Sequence, residues 1–122
     1  MKYSIDKKNE IVKLQLNEEN LNSMIAPDLK SEFIILRNEG VKNLILDMKD
    51  VKYVDSSGLS SILTANRLWK DHGNFILAEI QNDFVNKLIE ISRLDSILTI
   101  APSIDDALEI IRNNPAPVSE EE

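Results

Sequence analysis

NLILDMKDVKYVDSSGLSSIL, residues Asn43 to Leu63, sets an apolar run in front of three aspartates and a hydroxyl-rich turn, and then an amphipathic segment. Leu44, Ile45 and Leu46 are apolar at consecutive positions, the pattern of a strand covered on both faces, as strands of a parallel sheet are. Val41 to Met48 is therefore expected to be a central strand. From about Ser57 to Lys70 the pattern turns helical: Ile62, Ala65 and Trp69 fall on one stripe, Leu59 and Leu63 lie beside it, and Gly73 stops it. A helix start needs a side-chain acceptor for its unpaired N–H groups, and Asp55, Ser56 or Ser57 would each serve.

Upstream, Val12, Leu14 and Leu16 alternate with Lys13 and Gln15, the period of a half-buried strand, and Lys7 to Glu10 reads as a polar turn back to a short strand at Tyr3 to Ile5. Ile25, Leu29, Phe33 and Leu36 then recur at helical spacing, with Pro27 tolerated in the first turn and Gly40 as the stop. Downstream, NFILAEI is a buried strand, Phe84, Val85, Leu88, Ile89 and Ile91 make a third helix, Leu98 to Ala101 a short strand, and Ile104, Ala107, Leu108 and Ile111 a last helix. Alternating strands and helices call for right-handed crossovers. The expected fold class is α/β: one domain over residues 1–113, with a mixed, mainly parallel sheet, an N-terminal hairpin and about four helices. These should pack through Phe33, Ile62, Trp69, Leu88 and Leu108. Residues 114–122, with two prolines and three terminal glutamates, are expected to be a disordered acidic tail.

The 122 residues are 43% hydrophobic and 29% charged, the composition of one ordinary globular domain. A formal charge of −7 argues against nucleic acid as a partner, because a phosphate-backbone binder needs a basic face. The first residues meet Asp6 before any apolar run builds up, and no later run approaches the roughly 20 residues of a membrane span. The expected location is cytoplasmic, with no membrane partner. With no cysteine and one histidine, neither disulfides nor a zinc motif can be written, and Gly40, Gly58 and Gly73 never cluster into a phosphate-cradling loop. His72 sits in KDHGN, where an imidazole suits a helix C-terminus, so a Ser-His hydrolase has no base and no catalytic residue is assigned. No cofactor is expected.

Asp47, Asp50 and Asp55 fall at or just after the end of the central strand, where open α/β sheets place ligands. Asp47 invites comparison with the phosphoacceptor of response-regulator receivers, but the acidic pair is matched only loosely by Glu18 and Glu19, and the Leu98 strand runs into Ala101-Pro102 where a Lys is required.

DMKDVKYVDSSGLSSIL, from Asp47 on, resembles the signature of the STAS domain, in particular the stand-alone anti-sigma factor antagonists of bacteria, and the order of elements extends the likeness over Met1 to Asn113. The resemblance implies a partner switch. The unphosphorylated protein would bind an anti-sigma factor that is also a serine kinase, the kinase would phosphorylate the serine directly after the aspartate, and a metal-dependent phosphatase of the PP2C type would restore it. By position that serine is Ser56. Asp55, Ser57 and Gly58 would flank it on the partner surface, together with Asn22, which stands where the family's Gly-Glu-Leu-Asp-like loop ends in Asp. Here that loop reads Glu18-Glu19-Asn20-Leu21-Asn22, and Ser60 replaces a common glycine. On this reading Ser57 serves mainly as the helix cap, and a phosphate at position 56 joins a patch already holding Asp50 and Asp55. The alternative is a constitutive STAS scaffold subunit of a larger signalling or transport assembly.

Overall fold

In this computed structural model, which describes residues 1–117, Asn9 and Glu10 both take positive φ, 54° and 64°. That is the backbone of a two-residue turn, whose twist matches that of the strands it joins. The turn is tighter than the Lys7 to Glu10 segment expected, and the first strand correspondingly longer. β1 (Tyr3–Lys8) pairs antiparallel with β2 (Ile11–Leu16), Lys8 opposite Ile11. β2 then runs parallel to β4 (Asn43–Asp47), β4 to β6 (Asn74–Ala78), and β6 to β7 (Thr99–Ala101), giving the order β1-β2-β4-β6-β7. β4 lies at the centre and all its residues are buried, as its unbroken apolar run requires.

Alternation along the strands divides the core in two. Leu14, Leu16, Leu44, Leu46, Phe75 and Leu77 face α1 (Ala26–Asn38), α2 (Ser56–Trp69) and α3 (Asp83–Ile91), while Ile45, Ile76, Ala78 and Ala101 face α4 (Ile104–Asn113) through Ala107 and Ile111. On the larger side Phe33 meets Phe75 and Trp69 edge-on, with ring centroids 5.8 and 6.3 Å apart, a favoured aromatic arrangement. The Trp69 indole N–H donates to the Val41 carbonyl at 2.9 Å, tying the end of α2 to the entry of β4.

The amide side chains of Asn43 and Asn74 lace the same end of the sheet. Asn43 Nδ2 donates to the Glu10 carbonyl at 3.3 Å, while Asn74 Nδ2 donates to Asn43 Oδ1 at 2.9 Å and to the Asn114 carbonyl at 2.8 Å.

α3 departs from the expected stripe. Val85 and Ile89 are buried, but Phe84 is 50% and Ile91 71% exposed, because residues at these spacings straddle both sides of the helix. A 3₁₀ turn, Leu94–Ser96, entered through Arg93 at φ 60°, carries the chain to β7. α4 ends at Asn113. Of the expected tail, residues 118–122 lie outside those described, and Lys42 Nζ reaches the Pro117 carbonyl at 3.4 Å.

Ile62 tests the core directly, since it is buried on α2 within the larger cluster. Ile62→Ala should cost about 2–5 kcal/mol, as lost transfer energy plus a cavity. Chemical denaturation measures it, and a loss below about 1 kcal/mol would contradict the packing described.

Candidate functional site

Two short strands absent from the periodicity decide where the DSSG stretch sits. β3 (Asn20–Leu21) pairs parallel with β5 (Tyr53–Val54), and the Glu19 carbonyl accepts from the N–H groups of Lys52 at 2.8 Å and Tyr53 at 3.1 Å. The next link is the Asp55 N–H, which donates to the Leu21 carbonyl at 3.2 Å. The chain entering α2 is thus sewn to the chain entering α1.

Asp55 is the cap of α2. Its backbone is extended, φ −100° and ψ −172°, and its Oδ1 accepts from the Gly58 N–H at 2.9 Å. The expectation that Ser57 caps the helix is corrected by this geometry. Ser57 is the second helical residue, inside the first turn, and the Gly58 N–H that a cap would serve is already taken by Asp55. Ser56 is the first helical residue and is exposed.

Gly58 is buried rather than on an outer surface, and its role is spacing. A Cβ on Gly58 would lie 2.3 Å from the Leu21 carbonyl oxygen and 2.8 Å from Val54 Cγ1. Asn22 shapes the neighbouring loop: its Oδ1 accepts from the Met24 N–H at 3.0 Å, and its carbonyl from Ile25 at 3.0 Å and Ala26 at 2.8 Å. An asparagine oxygen makes this turn as an aspartate would.

The three aspartates do separate work. Asp50 accepts from Asn17 Nδ2 at 3.3 Å and lines a cleft with Glu18, Glu19, Lys49 and Lys52, whereas Ser56 lines a different groove with Ser57, Ser60, Ser23 and Lys30. Asp50 and Ser56 thus line separate grooves, and the Asp55 carboxylate accepts from the Gly58 N–H. Asp47 is 4% exposed at the end of β4, with its Oδ1 accepting from the Lys49 N–H at 2.9 Å. Burial pushes its carboxyl above the ordinary range, the Lys49 N–H opposes that, and nearby Glu79 adds to it. His72 lies in the turn after α2, its N–H on the Trp69 carbonyl, a helix length or about 20 Å from Ser56.

Two features escaped the sequence reading. Lys30, one turn into α1, lines the same groove as Ser56, and Tyr53 stacks on Phe84 with centroids 5.6 Å apart and both rings exposed. Each joins residues more than 25 positions apart, beyond the reach of any local pattern.

The model of the STAS domain matches residues 2–107, nearly the whole folded unit. The chain belongs to the STAS domain family. Among relatives of this STAS domain, the candidate anti-sigma factor antagonist BtrV of Bordetella bronchiseptica is 31% identical over 88 residues, covering 71% of this chain and 75% of BtrV. The crystal structure of a candidate anti-sigma factor antagonist of Thermotoga maritima superposes with a TM-score of 0.83 at 28% identity, covering 90% of this chain and 94% of that one. The Bacillus cell fate determinant SpoIIAA, in its phosphorylated form, shares the fold, with a TM-score of 0.67 at 18% identity over 91% of this chain and all of that one. Among the described residues, no helix of the STAS domain is long and apolar enough to cross a membrane.

Two substitutions separate the cap from its neighbour. Asp55→Ala should cost about 0.5–2 kcal/mol, the range for losing a cap, whereas Ser57→Ala should stay within about 0.5 kcal/mol. Urea unfolding of both variants reads the difference, and the reverse order would return the cap to Ser57.

Asp47 gives a pH signature. Its folded carboxyl titrates above the unfolded one at about 3.9, so the unfolded chain gives up this proton first as pH rises. The stability tied to the protonated form is complete below about 3.9 and is lost as pH climbs through the raised value. Asp47→Asn keeps an oxygen for the Lys49 N–H and removes the charge. At neutral pH the variant should melt no lower than the parent, and the gap should narrow as pH falls toward 4. A gap that widens on acidification would overturn this account.

Proposed function

We propose that this STAS domain is a cytoplasmic anti-sigma factor antagonist, with Ser56 as the phosphoacceptor that decides whether it is bound. The observation that carries this reading is the placement of Ser56: exposed, first in α2, directly after a cap that leaves its hydroxyl with no hydrogen bond among the described residues. Asp55 and Ser57 flank Ser56 in the chain, Gly58 seats the turn against Leu21, and Asn22 in the neighbouring loop completes the proposed partner-binding set. Residues 1–113 are the working unit, with the acidic segment 114–122 outside it.

In the unmodified state the partner, an anti-sigma factor that is also a serine kinase, packs over the start of α2. Transfer then follows. Ser56 Oγ attacks the γ-phosphorus of the partner's ATP, the hydroxyl proton passes to the partner's base, and the bond to ADP breaks. The product adds about −1.5 to −2 charge at pH 7, and a surface that fitted a neutral hydroxyl must desolvate a dianion or leave. A PP2C-type phosphatase returns the serine by hydrolysis to inorganic phosphate. The readout is which proteins are bound to each other, a two-state switch set by a local charge.

The test uses Ser56→Ala, Ser56→Asp and the parent with the anti-sigma kinase and ATP, mapping phosphate by mass spectrometry and titrating binding by calorimetry. Ser56→Ala should bind and accept no phosphate. Ser56→Asp should bind more weakly than the parent, though less weakly than the phosphorylated parent, because it carries one negative charge. Phosphate appearing on Ser57 of Ser56→Ala would move the acceptor. Phosphorylated parent that binds as tightly as unmodified protein would replace the switch by a constitutive scaffold.

A further inference from the structure

The groove beside Ser56 is built from two helices. α2 contributes Ser56, Ser57 and Ser60; the α1 side contributes Ser23, Ala26, Pro27 and Lys30. None of the four serine hydroxyls makes a hydrogen bond among the described residues, so none is spent inside the fold. Its volume is about 260 Å³, and one water in the liquid takes about 30 Å³. A tetrahedral phosphoryl group fits there with hydration water to spare.

Among the described residues Lys30 is the only charged one lining the groove, and it is not committed elsewhere among them. Among the described residues it makes neither an ion pair nor a hydrogen bond, whereas Lys7 is paired with Glu39 and Lys52 with Glu19. Its helical neighbours three and four positions away are Ala26, Pro27, Phe33 and Ile34, none of which is acidic. The two acids nearest in sequence, Asp28 and Glu32, are each two positions away and engaged elsewhere: Asp28 lies 3.7 Å from the Met1 amino group, and Glu32 accepts from the Tyr3 hydroxyl. In a chain of formal charge −7, a half-buried cation held beside a modifiable hydroxyl without a carboxylate needs an explanation.

We infer that Lys30 is the counter-cation of phosphorylated Ser56, drawing the phosphate into the groove between α1 and α2. This rests on the reading of Ser56 as the acceptor and goes beyond it by saying where the phosphate goes. The modification then does two things at once: it adds charge, and it fills a polar groove open in the unmodified protein. A partner that inserts a side chain into that groove is excluded by occupancy as well as by charge. Lys30 is a positioning residue here, not one that takes part in transfer.

The experiment places phosphoserine at position 56 by genetic encoding, so that no kinase is involved, and follows the phosphate by ³¹P NMR as pH is varied. A free phosphoserine changes charge near pH 6. Pairing with Lys30 favours the dianion, so the midpoint of the parent should lie below that of Lys30→Gln by about half a pH unit, the scale of one ion pair near a surface. Lys30→Arg should retain the low midpoint, and about 0.5 M salt should shrink the difference. In the phosphoserine parent, the Lys30 Nζ resonance should move with the same midpoint as the phosphate, a measurement that needs no variant to fold. Equal midpoints in parent and Lys30→Gln, or a Lys30 resonance indifferent to the phosphate titration, would overturn the assignment. Either result would speak to Lys30 alone. Failure of the kinase to modify Ser56 would speak instead to the proposed switch.

Discussion

Between the Leu21 carbonyl and the first turn of α2 there is no room for a side chain, and the geometry of the site follows from that constraint. With hydrogen alone at position 58, the helix settles against β3, and its first free N–H groups arrive where Asp55 can serve one of them. Asp55 can do this because its own N–H is held by the same Leu21 carbonyl. One carbonyl thus fixes the strand pairing below and the helix entry above. Once the cap is the residue before it, Ser56 has no structural duty and its hydroxyl is left outward.

The opposite end of the sheet is held by different means. Trp69 on the Val41 carbonyl and the linked amides of Asn43 and Asn74 fasten the starts of the parallel strands with part-buried hydrogen bonds, which are costly to leave unmade. At the other end Asp47 closes β4 with a carboxyl whose burial disfavours its charge. These side-chain hydrogen bonds lie at the N-terminal end of the parallel strands. The loops that present Asn22, Asp55 and Ser56 gather at the other, where α/β sheets place ligands.

How far the sequence reveals this depends on the range of each interaction. The central strand, the hairpin and the four helices are legible because burial repeats along the chain with a period of two or 3.6, and Leu44 to Leu46 or Ile62, Ala65 and Trp69 carry that signal without help. β3 and β5 are not, since two residues hold no period and their pairing joins positions 33 apart. The exposure of Phe84 and Ile91 is hidden for a related reason: an apolar residue on a helix does not say which neighbour is missing. The DSSG stretch marks the site by itself, but with three capping residues in a row the sequence cannot say which of them caps. The backbone of Asp55 decides it. Lys30 is invisible locally because Ser56, which lines the same groove, is brought by a different helix.

The identity of the cap also bears on what phosphorylation could do under the proposed reading. Had Ser56 been the cap, a phosphate would have replaced the hydroxyl that holds the helix, and modification would have been coupled to refolding of the first turn. With Asp55 in that role, a phosphate on the first helical residue leaves the cap in place and brings negative charge to the end of α2 that favours it. The modification is then compatible with an unchanged backbone, and its effect must be carried by the surface. Such a switch costs the fold little, so its direction is set by the partner's loss on meeting a charged, filled groove. That loss is large while the buried core, on the far side of Gly58, is not disturbed.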